Sequence, residues 1–275
     1  MMLRRTVLTL NLFLVSLCVS AQNYEDLVQR GMSLLEADSL LEAETAFKDA
    51  MQVSPARKSN ALLFRHIGQI QERTGRSQDA LESYTMGLNL SPTTLGLLLD
   101  RASLYLRLDN DNRAIHDYTT VLELSPDHTE ALFFRAWLYT RKRDYKGARA
   151  DYEHLLRLQP TREEALLGLA LLNEEDNRPR EAMEQVNNII QLYPNHATNY
   201  VVRGGMEQER KQYEAAIYDF DKAIQLEPEN PEHYLSRANC YLAMKRRKLA
   251  RRDIEHARSL GADTKVVAQL MAGLK

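Results

Sequence analysis

Cysteine is nearly absent from this sequence, which contains two in 275 residues. Cys18 lies in an N-terminal segment that we expect to be removed, so only Cys240 would remain. An intramolecular disulfide is therefore excluded in the processed chain, although exported proteins often form them. We expect Cys240 to be a small buried apolar residue, with a reactive thiol as the alternative.

Motifs of common catalytic and cofactor-binding sites are also missing. None of the 11 glycines lies in a GxGxxG or GxxxxGK[ST] segment, so no phosphate-binding loop is predicted. HExxH, GxSxG and CxxC do not occur, and the seven histidines are scattered without metal-ligand spacing. We therefore expect no enzyme activity, no cofactor and no metal site.

Strand-forming segments and a large net charge are lacking as well. No β-branched segment alternates with a period of two, whereas stretches rich in Ala, Leu, Glu, Arg and Lys favour helices. The formal charge of -2 argues against general nucleic-acid binding. With 44% hydrophobic and 27% charged residues, the composition is that of a folded chain, and the fold class predicted is all-α.

The N-terminal 21 residues are typical of a secretory signal peptide. Met1–Arg5 carries two positive charges, Thr6–Val19 is mostly apolar, and Val19–Ala21 ends the segment in small residues. We expect cleavage after Ala21 and, given the few cysteines, a periplasmic location in a bacterium with two membranes. An uncleaved membrane anchor is the alternative, but the apolar stretch is short for a span of about 20 residues.

Six prolines indicate an internal repeat. They are separated by 37, 34, 34, 34 and 34 residues, a period typical of solenoid proteins. The prolines are Pro55, Pro92, Pro126, Pro160, Pro194 and Pro228. The period divides the chain into seven repeats, at residues 24–57, 61–94, 95–128, 129–162, 163–196, 197–230 and 231–264.

Three positions within the repeat support this division. Position 20 is alanine in all seven repeats, position 8 is always glycine or alanine, and position 24 is large. Two helices approach closely only where side chains are small, so position 8 predicts the helix crossing and position 24 the residue that fills the space beside it. In the repeat 61–94 these positions are Ala80, Gly68 and Tyr84.

This pattern resembles the tetratricopeptide repeat over residues 24 to about 264. The resemblance implies a right-handed α-solenoid of about seven helix-turn-helix repeats, whose first helices line a concave groove. Gln71, Asn173 and Glu207 depart from it, because each replaces the tyrosine expected at position 11. Residues 264–275 carry an apolar stripe and are predicted to form a capping helix, with a partner-docking helix as the alternative.

Capping residues predict several helix starts, including Asp127, which has the capping-box spacing with Glu130. Asn230 before Pro231 suits an N-cap followed by proline at N1. Thr161 with Glu164 has the spacing of a capping box.

Arginine at position 7 coincides with aspartate at position 23 in four repeats. A partly buried guanidinium requires a hydrogen-bonded carboxylate, so we predict structural ion pairs between the two helices of each repeat. The predicted pairs are Arg101–Asp117, Arg135–Asp151, Arg203–Asp219 and Arg237–Asp253.

Apolar side chains occupy groove positions in the middle repeats, where polar residues would be expected unless a partner covers them. Exposed aromatic surface usually marks an interaction site. The residues are Leu99, Phe133, Trp137, Leu167 and Leu171, with Phe134 beside them. Arg107 and Arg141 share position 13 and are expected to orient a peptide or protein partner; packing between repeats and a solvated rim are the alternatives.

A basic cluster between Lys245 and Arg252 offers a different docking surface. It could contact anionic lipid headgroups or an acidic partner, although such runs are often simply solvated. Two hypotheses follow: a scaffold that binds a partner in its groove, or an accessory subunit of an envelope assembly or secretion complex that docks through this cluster or the capping helix. The sequence leaves the oligomeric state open.

Overall fold

The computed structural model describes residues 23–274, which form fifteen helices and no strand. The predicted signal peptide, residues 1–21, lies outside the described residues. The helices are α1 (23–36), α2 (Leu40–Val53), α3 (Asn60–Arg73), α4 (Ser77–Leu90), α5 (Leu95–Arg107), α6 (Asp111–Leu124), α7 (Thr129–Arg141), α8 (Tyr145–Leu158), α9 (Glu163–Glu175), α10 (Pro179–Leu192), α11 (Ala197–Glu209), α12 (Tyr213–Leu226), α13 (Pro231–Ala243), α14 (Arg247–Ser259) and α15 (Thr264–Ala272). The protein is an all-α solenoid of helix pairs.

Small residues at the helix crossings let the two helices of a repeat approach each other. A Cβ atom added at Gly68 would lie 2.3 Å from the Tyr84 ring, and one at Gly31 would lie 2.5 Å from the Phe47 ring. Both rings are fully buried. The predicted small and large positions of the repeat therefore form the contact that holds each of these helix pairs together.

The turn inside each repeat contains a residue in the left-handed backbone region. It stands at position 15 in all seven repeats, and only one of the seven is glycine. These residues are Asp38, Gly75, Asp109, Arg143, Asn177, Lys211 and Lys245. In the repeat 95–128, Asn110 N–H donates to the Tyr105 carbonyl and Asp109 N–H to the Leu106 carbonyl. This is the Schellman arrangement that ends a helix by satisfying its last carbonyl groups.

The predicted helix starts have different outcomes. Asn230 caps α13, because its side chain accepts a hydrogen bond from the Glu232 N–H at 3.1 Å. The capping box at Thr161 is wrong: the N-cap of α9 is Arg162, whose side chain makes no capping hydrogen bond.

The described residues divide into two compact units, which meet between Arg135 and Ala136 in the sequence. In the first unit, Tyr24, Phe47 and Ile67 form a core between α1, α2 and α3. In the second, one core lies among α9, α10 and α11 and another among α13, α14 and α15. Val267 of α15 and Leu274, which follows that helix, thus cover the apolar side of the last repeat. Within residues 23–274, no helix has the length and apolar character needed to cross a bilayer.

Candidate functional site

Arginine and aspartate side chains form bidentate ion pairs between the two helices of a repeat. Arg101 Nε and Nη2 each donate to an Asp117 carboxylate oxygen at 2.8 Å, and Asp117 is 1% exposed. The same geometry joins Arg203 to Asp219 and Arg237 to Asp253, at 2.7 to 2.9 Å. Arg135 and Asp151 lie in different units, and that pair stays a prediction.

The third guanidinium nitrogen of these arginines reaches the preceding repeat, a contact that sequence analysis missed. Nη1 of Arg203 donates to Asn187 Oδ1 at 2.7 Å, and Nη1 of Arg101 donates to Thr85 Oγ1 at 3.1 Å. Both acceptors stand at position 25 of their repeats. Hydrogen bonding to Asp219 raises the pKa of Arg203, so its charge persists at all ordinary pH values. The arginine is therefore a structural connector between repeats.

Two repeats without this arginine use an amide instead. Ser83 Oγ donates to Gln71 Oε1 at 2.7 Å, and Asn173 Nδ2 donates to Gln185 Oε1 at 2.8 Å. Gln71 and Asn173 are two of the residues that depart from the repeat pattern at position 11. Their amides reach position 23, where four other repeats place aspartate, so the departure preserves a polar link between the helices.

Glu207, the third departure, lies in a repeat that already contains an ion pair. Its Oε2 atom is buried and has no hydrogen-bond partner among the described residues. Burial, reinforced by the negative charge of Asp219, raises the pKa of Glu207 to about 7. A carboxyl group with this pKa keeps its proton at mildly acidic pH, where an ordinary glutamate is ionised.

Cys240 has the environment of a structural residue. Its side chain is fully buried, and Sγ donates to Gln208 Oε1 at 3.2 Å. Burial raises the pKa of the thiol to about 11, which keeps it protonated and unreactive at neutral pH. In the part of the chain that the structure describes, no cluster of His, Cys, Asp and Glu side chains has the arrangement needed to hold a metal ion.

The second unit contains a cavity of about 530 Å³ along the first helices of three repeats. Trp137 of α7 and Leu171 of α9 line it, and these side chains are 38% and 44% exposed. Arg141 also lines the cavity, with its Cζ atom 5.0 Å from the centre of the Trp137 ring. This distance is that of a cation–π contact, which orders the indole beside the opening.

A glycine creates much of the open space. Position 9 is Trp137, Leu171 and Gly205 in three successive repeats, so the side chain at this position becomes smaller from one repeat to the next along the cavity. A Cβ atom added at Gly205 would meet no atom within 4 Å. Trp137 and Leu171 were predicted to line the groove, whereas Gly205 was not, because only large apolar side chains indicated the groove in the sequence.

The charge along the cavity changes sign at position 13. Arg141 is followed at this position by Glu175 and Glu209, which also line the cavity. Across residues 23–274, neither glutamate forms an ion pair, whereas neighbouring Glu174 is bound by Arg210 at 2.7 Å. The two unneutralised carboxylates were missed in the sequence, although their spacing of 34 residues from each other was visible there.

Leu167 belongs to the packing of its repeat. Its half-buried side chain contacts the core formed by Ala170, Ala182 and Val186. Leu167 does not line the cavity in this unit, and its place in the groove stays a prediction.

In the first unit, the predicted aromatic residues stack on one another. The Phe134 and Tyr118 rings are stacked with centres 5.8 Å apart, and Phe133 meets Phe134 edge-on at 5.4 Å. Both phenylalanines and Leu99 are half-buried. Part of the surface of each phenylalanine ring is therefore covered by other aromatic rings of the same unit.

The first unit has its own cavity of about 420 Å³, which is lined by polar groups that are already paired. Arg107 binds Glu72, and Asp100 accepts hydrogen bonds from Arg65 Nε at 2.7 Å and Gln69 Nε2 at 2.8 Å. Arg107, which was predicted to orient a partner, is thus exposed but already forms an ion pair with Glu72. The cavity of the second unit differs in offering an aromatic side chain and unneutralised carboxylates together.

Comparison with protein-family models identifies repeats in the chain. A model described as "Tetratricopeptide repeat" matches residues 99–163 and 139–197, and one described as "TPR repeat" matches residues 205–245. No curated protein matches the chain significantly.

Solved structures show the same architecture. A tetratricopeptide repeat protein from Parabacteroides merdae is 30% identical, covers 92% of this chain and 99% of its own, and superposes with a TM-score of 0.77. MamA from Desulfovibrio magneticus is 23% identical, with coverage of 61% and 95% and a TM-score of 0.56. PilF from Pseudomonas aeruginosa is 15% identical, with coverage of 78% and 98% and a TM-score of 0.58. The last two similarities show the fold alone.

Proposed function

Because the chain belongs to the tetratricopeptide repeat family, we propose that it is a non-catalytic scaffold that holds a peptide or protein partner along the first helices of its repeats. Solenoids of this kind use extended surfaces lined by successive repeats as binding surfaces. The observation that carries the proposal is the cavity beside Trp137, where exposed apolar side chains meet unneutralised charge.

The cavity indicates the chemistry of the partner. Trp137 and Leu171 provide an apolar contact area, and the open space above Gly205 accepts an apolar side chain. Arg141 at one end attracts a carboxylate, while Glu175 and Glu209 attract basic groups. The partner we expect is a segment with an apolar anchor between an acidic and a basic residue. The predicted sites in the first unit, Leu99, Arg107, Phe133 and Phe134, would extend the contact.

We test this proposal with two cavity variants that act in opposite ways. Trp137→Ala removes the aromatic contact surface of the cavity, and Gly205→Met fills the space that the partner would occupy. Gly205→Met replaces a glycine inside α11 by a better helix former, so it should stabilise the fold by about 0.5 kcal/mol or more. Loss of binding in this variant therefore does not come from unfolding.

The matched control is Tyr218→Ala, which removes an aromatic side chain exposed on α12 that does not line the cavity. Binding is measured by affinity capture from envelope extract, followed by titration of the captured partner. We expect capture by the wild type and by Tyr218→Ala, and loss in both cavity variants. Undiminished capture by Trp137→Ala and Gly205→Met would rule out the cavity as the binding site.

The second candidate function is an accessory subunit of an envelope assembly or secretion complex. The specific observation in its favour is the exposed basic segment from Lys245 to Arg252. Capture that is insensitive to Trp137→Ala but lost on changes in this segment would support this role over groove binding.

We place either function outside the cytoplasm, in the periplasm, on the basis of the N-terminal sequence. N-terminal sequencing of the mature protein should give Gln22 as its first residue. Retention of Met1 in a membrane fraction would instead support an uncleaved anchor.

A further inference from the structure

Six of the eight residues from Lys245 to Arg252 are basic, in a chain whose formal charge is -2. We call this segment the basic segment. It includes the turn between α13 and α14 and the first turns of α14. Its only uncharged residues are Leu249 and Ala250, and it contains no acidic residue. The charge of the molecule is therefore strongly uneven along the chain.

All six basic side chains are exposed, and few have a partner. Arg246 lies 3.7 Å from Glu214, which is itself exposed, and Arg252 lies 3.9 Å from Asp253. Asp253 already accepts two hydrogen bonds from Arg237. The other four basic residues form no ion pair within the described chain: Lys245, Arg247, Lys248 and Arg251.

This arrangement opposes the stability of α14. The helix begins at Arg247, and its first turn contains no acidic residue. Positive charges at a helix N-terminus are unfavourable because the helix dipole is positive there, and neighbouring like charges repel one another. The fold alone therefore gives no reason for these charges, whereas an anionic surface would relieve both effects.

The residues around the turn also form an indentation of about 360 Å³. Lys245, Arg246, Arg247 and Lys248 surround it, and the side chain of Leu249 packs against the core of the last repeat. A protein interface usually has a desolvated apolar centre. The basic segment presents no exposed apolar side chain to form one, because Ala250 is buried.

We propose that the basic segment binds the surface of an anionic lipid bilayer. A bilayer with anionic headgroups attracts Lys and Arg through a diffuse negative potential and needs no apolar contact, which matches the character of this surface. The proposal concerns a surface separate from the Trp137 cavity, so failure of one leaves the other standing.

The test compares the full chain with a patch variant that combines Lys245→Gln, Arg247→Gln, Lys248→Gln and Arg251→Gln. A control variant removes four other exposed basic residues of the same unit, through Lys146→Gln, Arg157→Gln, Arg180→Gln and Lys211→Gln. Both variants lose the same charge. Partition coefficients are measured by titration with vesicles of phosphatidylcholine, alone or with an equal part of phosphatidylglycerol. All three proteins contain residues 1–22. Any contribution of these residues to vesicle binding multiplies each partition coefficient by the same factor, so it cancels from the ratio of variant to wild type.

We expect the wild type to bind the phosphatidylglycerol vesicles, and the patch variant to bind nearly three orders of magnitude more weakly, because each of the four basic residues removed contributes roughly fivefold near such a surface. The control variant should change far less, and high salt should abolish the difference. The thermal midpoint of the patch variant should not fall, because its substitutions remove unfavourable charges from the start of α14.

Equal weakening of both variants, or equal binding of the wild type to vesicles of phosphatidylcholine alone, would overturn the proposal. A polyglutamate peptide serves as the probe for an acidic protein. If it binds the wild type in a manner lost in the patch variant, while the phosphatidylglycerol vesicles do not bind, the basic segment is a protein-docking surface and the lipid assignment is wrong.

Discussion

A single arginine side chain makes three hydrogen bonds that join two other side chains from two repeats of this protein. Arg203 makes two hydrogen bonds to Asp219 in its own repeat and one to Asn187 in the repeat before it. The aspartate could be predicted because it accompanies the arginine in four repeats. The second contact could not, because its acceptor at position 25 is threonine, asparagine or aspartate in different repeats, and such varied acceptors leave no sequence pattern.

Removing the aspartate alone should leave a partly buried positive charge without its carboxylate. We expect Asp219→Ala to lower the free energy of unfolding by about 3 kcal/mol or more. Asp219→Ala combined with Arg203→Leu should recover most of this loss, because an apolar side chain needs no counter-charge. Chemical denaturation of both variants measures the difference. If the double variant is no more stable than the single one, the burial of the charge is not what makes the pair necessary.

Glu207 should make the stability of the second unit depend on pH. The pKa of Glu207 is raised to about 7 in the folded protein, above its ordinary value of 4.5. Protonated glutamate therefore favours folding, and this contribution is complete below pH 4.5 and is lost as the pH rises through 7. Because solvent reaches the half-buried side chain and weakens the effect, we expect the free energy of unfolding to fall by about 1 to 2 kcal/mol as the pH rises through 7.

The measurement is thermal or chemical denaturation between pH 4.5 and pH 8, for the wild type and for Glu207→Gln. The variant should lack this part of the pH dependence, because glutamine stays neutral. Parallel stability profiles for the two proteins would show that Glu207 is not the group responsible.

At the scale of elements, the turn inside each repeat follows one geometry with many different residues. Position 15 has a positive φ in every repeat, yet holds aspartate, glycine, arginine, asparagine or lysine. The left-handed residue could not be predicted from the sequence, because glycine, the usual residue in this conformation, stands at position 15 only at Gly75. The backbone hydrogen bonds that end each first helix impose the conformation.

Glycine should therefore be preferred at the turns where a long side chain now stands. We expect Lys211→Gly to raise the free energy of unfolding by about 1 kcal/mol, because the left-handed conformation disfavours a residue with a Cβ atom by about that amount. Gly75→Ala should lower it by a similar amount. Equilibrium denaturation tests both. Destabilisation by Lys211→Gly would mean that the lysine side chain contributes more than its backbone conformation costs.

At the scale of the molecule, the repeat pattern was sufficient to predict an all-α solenoid of tetratricopeptide repeats. The small residue at position 8 packs against the large residue at position 24, as Gly68 does against Tyr84. The cavity was less predictable, since its volume depends on the side chain that is missing at Gly205 as much as on Trp137. A pattern search finds residues that recur, whereas a binding site arises where successive repeats differ.

A solenoid in which helices pack mainly on their neighbours in sequence should lose stability locally when one repeat is damaged. Ile254 is fully buried in the core of α13, α14 and α15. We expect Ile254→Ala to destabilise this core by about 3 kcal/mol, within the usual range for such a truncation. Amide hydrogen exchange should then accelerate in α13, α14 and α15, while α9 and α10 keep their protection.

The reciprocal control is Val186→Ala, which truncates a fully buried side chain in the core of α9, α10 and α11. It should accelerate exchange in those helices and spare α14 and α15. Contacts between α12 and α13 are the path by which a change would spread from one core to the other. Uniform acceleration throughout the second unit in both variants would show that its repeats unfold as one cooperative body, since independent repeats confine the effect of a truncation to the core that loses the side chain.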